Sequence, residues 1–283
     1  MTTVLAGVVG WPVSHSLSPR MHHFWLHENT IAGGYVALPV RQHDLSSVLA
    51  ALRETGFKGV NLTLPHKEAA YALADIADPS ASASQAANLL LFRDLQFEAH
   101  NTDVEGLALS LRESLGEKAT GIGLAVVLGA GGAARAAVLA CDRLGAGQIC
   151  IVNRTAARTD VLVRALSASV KAKLFVAQWN GWETHAPQTR LLINATSAGL
   201  NGTASPDVPL ELLPGGAAVC DLVYSPLETP LLARARAQGL TSIDGLGMLM
   251  HQGALAFELL FGMRPNVSAA LRAHLEQALR NGM

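Results

Sequence analysis

Charge is scarce in this 283-residue chain. Only 15% of it is Asp, Glu, Lys or Arg, and 21 basic residues nearly cancel 22 acidic ones. Without a basic stripe or an acidic tail, the electrostatic footprint of a nucleic-acid partner is missing. Long apolar runs are absent as well: half of the residues are hydrophobic, yet runs such as 124–128 end far short of the roughly 18 residues that a membrane span needs. The opening Met-Thr-Thr-Val-Leu-Ala-Gly has no basic segment leading into a long apolar stretch, so it reads as the start of a fold and not as an export signal. Cysteine is limited to Cys141, Cys150 and Cys220. An odd number with no Cys-x-x-Cys spacing speaks against a disulfide framework and a zinc site, and for reduced thiols in a cytoplasmic protein. Lysine is rare too, five against sixteen arginines. Each lysine therefore merits attention, because an amine gives up a proton far more readily than a guanidinium.

What is present is an alternation of short apolar runs and helical spacings. Residues 4–10 read as a buried strand closed by Gly-Trp-Pro, followed by a loop with Ser14, Ser16 and Ser18 and a helix over about 19–29. A strand over 34–40, a helix over 43–54 and a strand over 57–64 come next. Strand, helix, strand, helix, strand implies parallel pairing with right-handed crossovers, an arrangement that places ligands outside the carboxyl ends of the strands. Ser16, Ser18, Thr63 and Lys67 all fall there. Each has two readings. The serines suit a helix start as well as a polar ligand, and Lys67 suits a solvated helix terminus as well as a proton carrier. Residues 68–77 have a helical pattern and 79–84 a small-residue connection; 88–92 and 95–99 suggest a hairpin. Asp103, ahead of a helix over 104–115, reads either as its cap or as a carboxylate facing Lys67 across a cleft.

The character changes at residue 124. A continuous apolar strand, 124–128, runs into Gly129-Ala130-Gly131-Gly132-Ala133-Ala134, a Gly-x-Gly-x-x-Ala turn between strand and helix. Such a turn brings the backbone close to a pyrophosphate and points free helix amides at it. The next strand, 148–152, ends in Asn153-Arg154-Thr155, with Arg158 one turn on. Where an NAD site would place a ribose-binding acid, two guanidiniums stand, which favours the 2′-phosphate of NADP. Strands over 174–177, 191–195, 217–223 and 241–243 complete six, so residues 105–245 read as a dinucleotide-binding domain. Helices over 246–262 and 267–280 lie outside that pattern and are expected to return to the first domain. The expected fold is α/β with two domains: 1–104 for substrate, 105–245 of Rossmann type, doubly wound, and 246–283 as C-terminal helices.

With these motifs in order, the chain resembles the shikimate dehydrogenase family over nearly its whole length. The resemblance rests on Gly10-Trp11-Pro12, His15-Ser16-Leu17-Ser18-Pro19 and His22, on Asn61-Leu62-Thr63-Leu64-Pro65-His66-Lys67, on Asn101-Thr102-Asp103, and on the glycine turn. Further on it rests on Asn153-Arg154-Thr155, Asn194-Ala195-Thr196-Ser197, Asp221-Leu222-Val223-Tyr224-Ser225-Pro226 and Asp244-Gly245-Leu246-Gly247-Met248-Leu249, with Gln252. It implies NADPH-dependent reversible reduction of 3-dehydroshikimate to shikimate, in aromatic biosynthesis, by a monomer or homodimer. By the same resemblance Lys67 and Asp103 are the catalytic pair, and Ser16, Ser18, Thr63, Asn88, Asp103, Tyr224 and Gln252 are substrate contacts. Gly129, Ala130, Gly131, Gly132, Ala133, Asn153, Arg154, Thr155, Arg158, Leu222 and Gly245 are cofactor contacts, with no metal. One segment departs from the family pattern: Gln85-Ala86-Ala87-Asn88-Leu89 stands where members carry Gly-Ala-Val-Asn-Thr. That departure leaves open a paralogue acting on quinate; a silent metabolite sensor is the alternative from another class.

Overall fold

The computed structural model describes residues 3–281; Met1 and Thr2, which open the stretch read above as the start of a fold, lie outside the described residues. Twelve strands and ten α-helices are found among them, distributed over two units. Unit one comprises residues 1–106 and 249–283, and unit two residues 107–248.

In unit one, β1 (Val4–Gly10) pairs in parallel with β2 (Gly33–Pro39) and β3 (Phe57–Leu62). The crossovers are α1 (Ser18–Glu28) and α2 (Leu45–Glu54). After α3 (Lys67–Leu73), the two-residue β4 (Ile76–Ala77) and α4 (Pro79–Ser84), the hairpin of β5 (Leu89–Arg93) and β6 (Gln96–His100) joins the sheet antiparallel to β3. The resulting strand order is β2-β1-β3-β5-β6-β4. Side chains alternate across this sheet with a period of two. Val9, Val60, Leu62, Leu90 and Phe92 go to one face with Leu45 and Leu49 of α2. Ala6, Val8, Leu89 and Leu91 go to the other, against Ala256 and Leu260. Those two belong to α9 (Gly245–Phe261), and α10 (Ala269–Arg280) packs on α1.

Residues 79–84, expected as a connection, are helical. Serine and alanine leave no apolar stripe to read, but Asp78 caps the turn, its Oδ1 accepting from Ala81 N at 2.8 Å, with Pro79 in the first helical turn.

Unit two starts within α5 (Asp103–Leu115), whose first residues belong to unit one. Its six strands are β7 (Leu124–Leu128), β8 (Gln148–Val152), β9 (Lys173–Ala177), β10 (Thr189–Asn194), β11 (Ala218–Asp221) and β12 (Thr241–Ile243). All pair in parallel in the order β12-β11-β10-β7-β8-β9. The helices α6 (Gly132–Arg143), α7 (Ala156–Leu166) and α8 (Pro230–Ala237) serve this sheet. Strand order reverses between β7 and β10, and at such a switch point a crevice opens beyond the carboxyl ends. The three cysteines are free and buried, and burial pushes Cys141 and Cys150 up to about 12. Among the described residues no helix is long and apolar enough to cross a membrane.

Candidate active site

Topology alone collects the first set of residues. The carboxyl ends of the parallel strands β1 and β3 lie together, tied by Trp11 N–H donating to Leu64 O at 3.0 Å. Because β5 runs against β3, its amino end lies at this same edge, and so does the carboxyl end of β6. Four loops therefore converge: Trp11 to Leu17, Thr63 to His66, Gln85 to Asn88, and Asn101 with Thr102.

Lys67 and Asp103 meet at this edge. The Nζ of Lys67 donates to Asp103 Oδ2 at 2.5 Å, with the lysine side chain 18% exposed and the aspartate side chain 5%. Asp103 is not used as the helix cap. Its own N–H donates to Asn101 Oδ1 at 3.1 Å, so Asn101 answers the free amide and the carboxylate of Asp103 is left for Lys67. Asp103 Oδ1 accepts from Asn88 Nδ2 at 2.8 Å.

Asn88 is the junction of the network. Its Nδ2 also reaches Thr102 Oγ1 at 2.8 Å and Gln252 Oε1 at 3.1 Å, while its Oδ1 accepts from Thr102 N at 2.7 Å. Two amide protons thus serve three acceptors in a buried setting, which fixes the carboxamide orientation. Gln252 arrives on α9 and is anchored by Nε2 donating to Leu249 O at 2.8 Å. That close approach requires glycine at 106, where a Cβ would lie 2.6 Å from Gln252 N.

The altered segment keeps this geometry. Gln85 takes φ 48°, the left-handed conformation that glycine adopts without cost. Ala86 O accepts from Asn101 Nδ2 at 2.9 Å, which ties the segment to the residue capping α5. Leu89, where the family has threonine, turns away from Asn88 into the apolar face with Val8, Tyr35 and Leu91.

Ser16 and Ser18 lie at the start of α1. Ser16 Oγ accepts from Ser18 N at 3.2 Å, which leaves its hydroxyl proton to donate elsewhere. Ser18 is buried and makes no cap. Thr63 sits half-buried just past β3. Ser16, Ser18, Thr63, Lys67, Asn88, Asp103 and Gln252 thus all belong to unit one. Tyr224 belongs to unit two, beyond β11.

The glycine turn of unit two leaves β7 at Gly129, with φ 117°. Gly131 precedes α6, and a Cβ built there would meet nothing within 4 Å. This open cradle at a helix amino terminus, lined by the backbone of Gly131, Gly132 and Ala133, fits a pyrophosphate. Ala130 between them is buried. Asn153 Nδ2 donates to Thr155 O at 3.1 Å and closes the turn after β8. Among the described residues, neither Arg154 nor Arg158, both exposed, is engaged by a carboxylate. Asn153 and Arg154 line a cavity of about 290 Å³ with Thr159, Gln178, Trp179 and Asn180. Leu222 and Gly245 are packed backbone to backbone, a Cβ at 245 falling 2.3 Å from Leu222 O.

Two of the quoted motifs have structural work here. The buried Asp221 accepts from Asn194 Nδ2 at 2.8 Å, Thr229 Oγ1 at 2.7 Å and Val223 N at 3.1 Å. Burial raises its pKa against the pull of these bonds. Asn194 Oδ1 in turn accepts from Thr196, so the ends of β10 and β11 are stitched together.

The family model described as Shikimate dehydrogenase substrate binding domain matches residues 8–90, and that described as Shikimate 5'-dehydrogenase C-terminal domain matches residues 245–273. The Shikimate dehydrogenase (NADP(+)) of Paracoccus denitrificans is 45% identical over 269 residues, covering 95% of this chain and 94% of its own length. The chain belongs to the shikimate dehydrogenase family. Within that family, the crystal structure of Shikimate 5-Dehydrogenase from Thermus thermophilus, in complex with NADP(H) and shikimate, superposes with a TM-score of 0.84 at 37% identity, covering 99% of this chain and all of that one. Quinate dehydrogenase from Corynebacterium glutamicum in complex with NAD gives 0.85 at 27% identity, covering 98% of this chain and 99% of that one.

Thr102 and the cavity residues Gln178 and Trp179 were not among the expected site residues. Thr102 lies between Asn101 and Asp103 in a quoted motif, so a signal for it existed; for Trp179, beyond the carboxyl end of β9, there was none.

Proposed function

We propose that this chain is an NADP-dependent shikimate dehydrogenase, interconverting 3-dehydroshikimate and shikimate. The observation that carries the reading is the Lys67–Asp103 pair, held by Asn88 at the edge where four loops converge. Substrate binding falls to residues 1–104 with 246–283, and cofactor binding to 105–245. Bound NADPH supplies the hydride. Gly129 to Ala133 hold the pyrophosphate, and Arg154 and Arg158 pair with the 2′-phosphate, with Asn153, Thr155, Leu222 and Gly245 completing the contacts.

Lys67 donates a proton from Nζ to the substrate oxygen during reduction and takes it back in oxidation. Asp103 accepts from Nζ, which aims the amine, and takes a substrate hydroxyl as a further donor. Ser16 and Ser18 offer neutral donors to the substrate carboxylate, with Thr63, Asn88, Gln252 and Tyr224 reading the ring hydroxyls. The working form is a cytoplasmic monomer or homodimer.

Initial rates with shikimate and with quinate, each with NADP and NAD, test the reading through the absorbance of reduced nicotinamide. Shikimate with NADP should be the preferred pair. A preference for quinate would instead support the paralogue to which the altered segment at 85–89 and the likeness to a quinate dehydrogenase point. Failure of both substrates would leave the metabolite sensor.

A further inference from the structure

Behind the proposed substrate residues, unit one carries a buried aromatic pair that the chemistry above does not use. His22 on α1 and Tyr35 in β2 are stacked, with ring centroids 3.8 Å apart and planes 7° from parallel. Trp25 meets the imidazole edge-on at 5.7 Å and Phe257 lies over it at 5.7 Å. Both stacked rings are shielded from solvent. Burial, with a minor contribution from His23, drives His22 down to about 3, so the imidazole is neutral and holds Tyr35 by packing alone. Burial also pushes the phenol of Tyr35 well up, so it remains a protonated donor.

A fully buried phenol needs a partner, and this one faces the polar network. Tyr35 Oη donates to Asn61 Oδ1 at 2.8 Å. Asn61 Nδ2 in turn donates to Asn88 O at 3.0 Å. A carboxamide has nearly the same shape in its two flipped orientations, and only its partners choose between them. The carbonyl of Asn88, which can only accept, turns the amide of Asn61 toward it, and the phenol proton satisfies the Asn61 oxygen left facing Tyr35, so the two partners together hold the carboxamide beside the residue that holds Asp103.

We propose that Tyr35, clamped by His22, is a positioning residue that orders Asn61 and, through Asn61, the Asn88 junction. It touches neither substrate nor cofactor. Its effect should fall on substrate recognition more than on turnover.

Tyr35→Phe removes one oxygen and keeps the stack. The expected result is a shikimate KM raised about three- to tenfold, the span of one buried neutral hydrogen bond. The KM for NADP should stay at the wild-type value, and kcat should change less than the shikimate KM. Independently of any substrate, the side-chain amide signals of Asn61 and Asn88 in a nitrogen-15 NMR spectrum should shift and broaden while most backbone amides stay in place. His22→Ala should reproduce the amide change, and His22→Phe, which restores a flat ring, should reverse most of it; this pair decides the matter if Tyr35→Phe does not fold. Unchanged Asn61 and Asn88 amides, or equal losses for shikimate and NADP, would overturn the proposal. Only the kinetic part rests on the shikimate reading. A wild-type protein inactive with shikimate would sink that reading, and the amide spectra would still decide the role of Tyr35.

Discussion

Replacing Lys67 by methionine removes the amine and keeps most of the stem's apolar contact. Two effects separate. On stability, Asp103 loses its donor at 2.5 Å but keeps Asn88 Nδ2 at 2.8 Å. An exposed pair contributes at most about 1 kcal/mol, and stranding a fully buried charge costs about 3–5 kcal/mol. The lysine side chain retains 18% of its exposure, which places the loss between those limits, about 2 kcal/mol. On rate, a positioned proton donor contributes about 10²- to 10⁴-fold, or about 3–5 kcal/mol of barrier. The kinetic effect therefore outweighs the structural one, and a thermal melt alongside the rates separates them. At saturating shikimate and NADP, kcat should fall at least about a hundredfold while the shikimate KM moves by less than about threefold. A folded variant with kcat within about tenfold of wild type would refute the proton-carrier role. A loss confined to KM would do the same and leave the ammonium as an electrostatic anchor.

Removing Arg154 and Arg158 together should raise the KM for NADP by about a hundredfold or more, since each charge-assisted bond to phosphate contributes about 1.5–3 kcal/mol; equal losses with NAD would contradict the 2′-phosphate assignment. Ser16→Ala combined with Ser18→Ala should weaken shikimate about a hundredfold, since each hydroxyl bond to a charged carboxylate contributes about 1.5–3 kcal/mol, and an unmoved KM would count against the carboxylate placement. Leu89→Thr buries a hydroxyl in the apolar face and should lower stability by about 2–3 kcal/mol in denaturant unfolding, with the rate per folded molecule retained; a loss of rate without a loss of stability would mean that Leu89 faces the substrate. For pH, burial of Asp78 is outweighed by hydrogen bonds from His100, Ser80 and Ala81, which together hold its carboxyl at about 2. Burial of His100 is likewise outweighed by Asp78 and Glu98, which raise it. The histidine's share of stability is therefore complete below its ordinary value of 6.5 and is lost as pH rises through the raised one, while the aspartate's is present above 3.8 and lost as pH falls through about 2. Melting curves of wild type and His100→Asn should converge as pH rises; a gap that widens reverses the sign and refutes the assignment.

Much of the fold was legible because buried strands announce themselves. Residues 124–128 and 148–152 are strands with the expected bounds, since a parallel strand covered on both faces shows as a near-continuous apolar run. Residues 79–84 were hidden for the opposite reason: small residues leave no periodic signal, and only the Asp-Pro start marked that helix. The glycine turn could be read locally because its glycines, strand and helix are contiguous. Tyr35 could not, because its partner Asn61 is 26 positions away and nothing around Tyr35 distinguishes a hydrogen-bonded phenol from a core aromatic.

By itself the sequence determined which chemistry the chain carries: one lysine past a strand, an acid before a helix, a glycine turn backed by two arginines, in the family's order. It could not decide whether Asp103 capped its helix or faced Lys67, because both uses need the same residue at the same place. Tertiary structure made that decision. Asn101 satisfies the free helix amide, while Asn88 and Gln252, 164 positions apart, are drawn with Lys67 into one network with Asp103. The physical reason is that a cap is a contact between near neighbours in the chain, whereas an oriented carboxylate needs donors that only a folded sheet edge brings together.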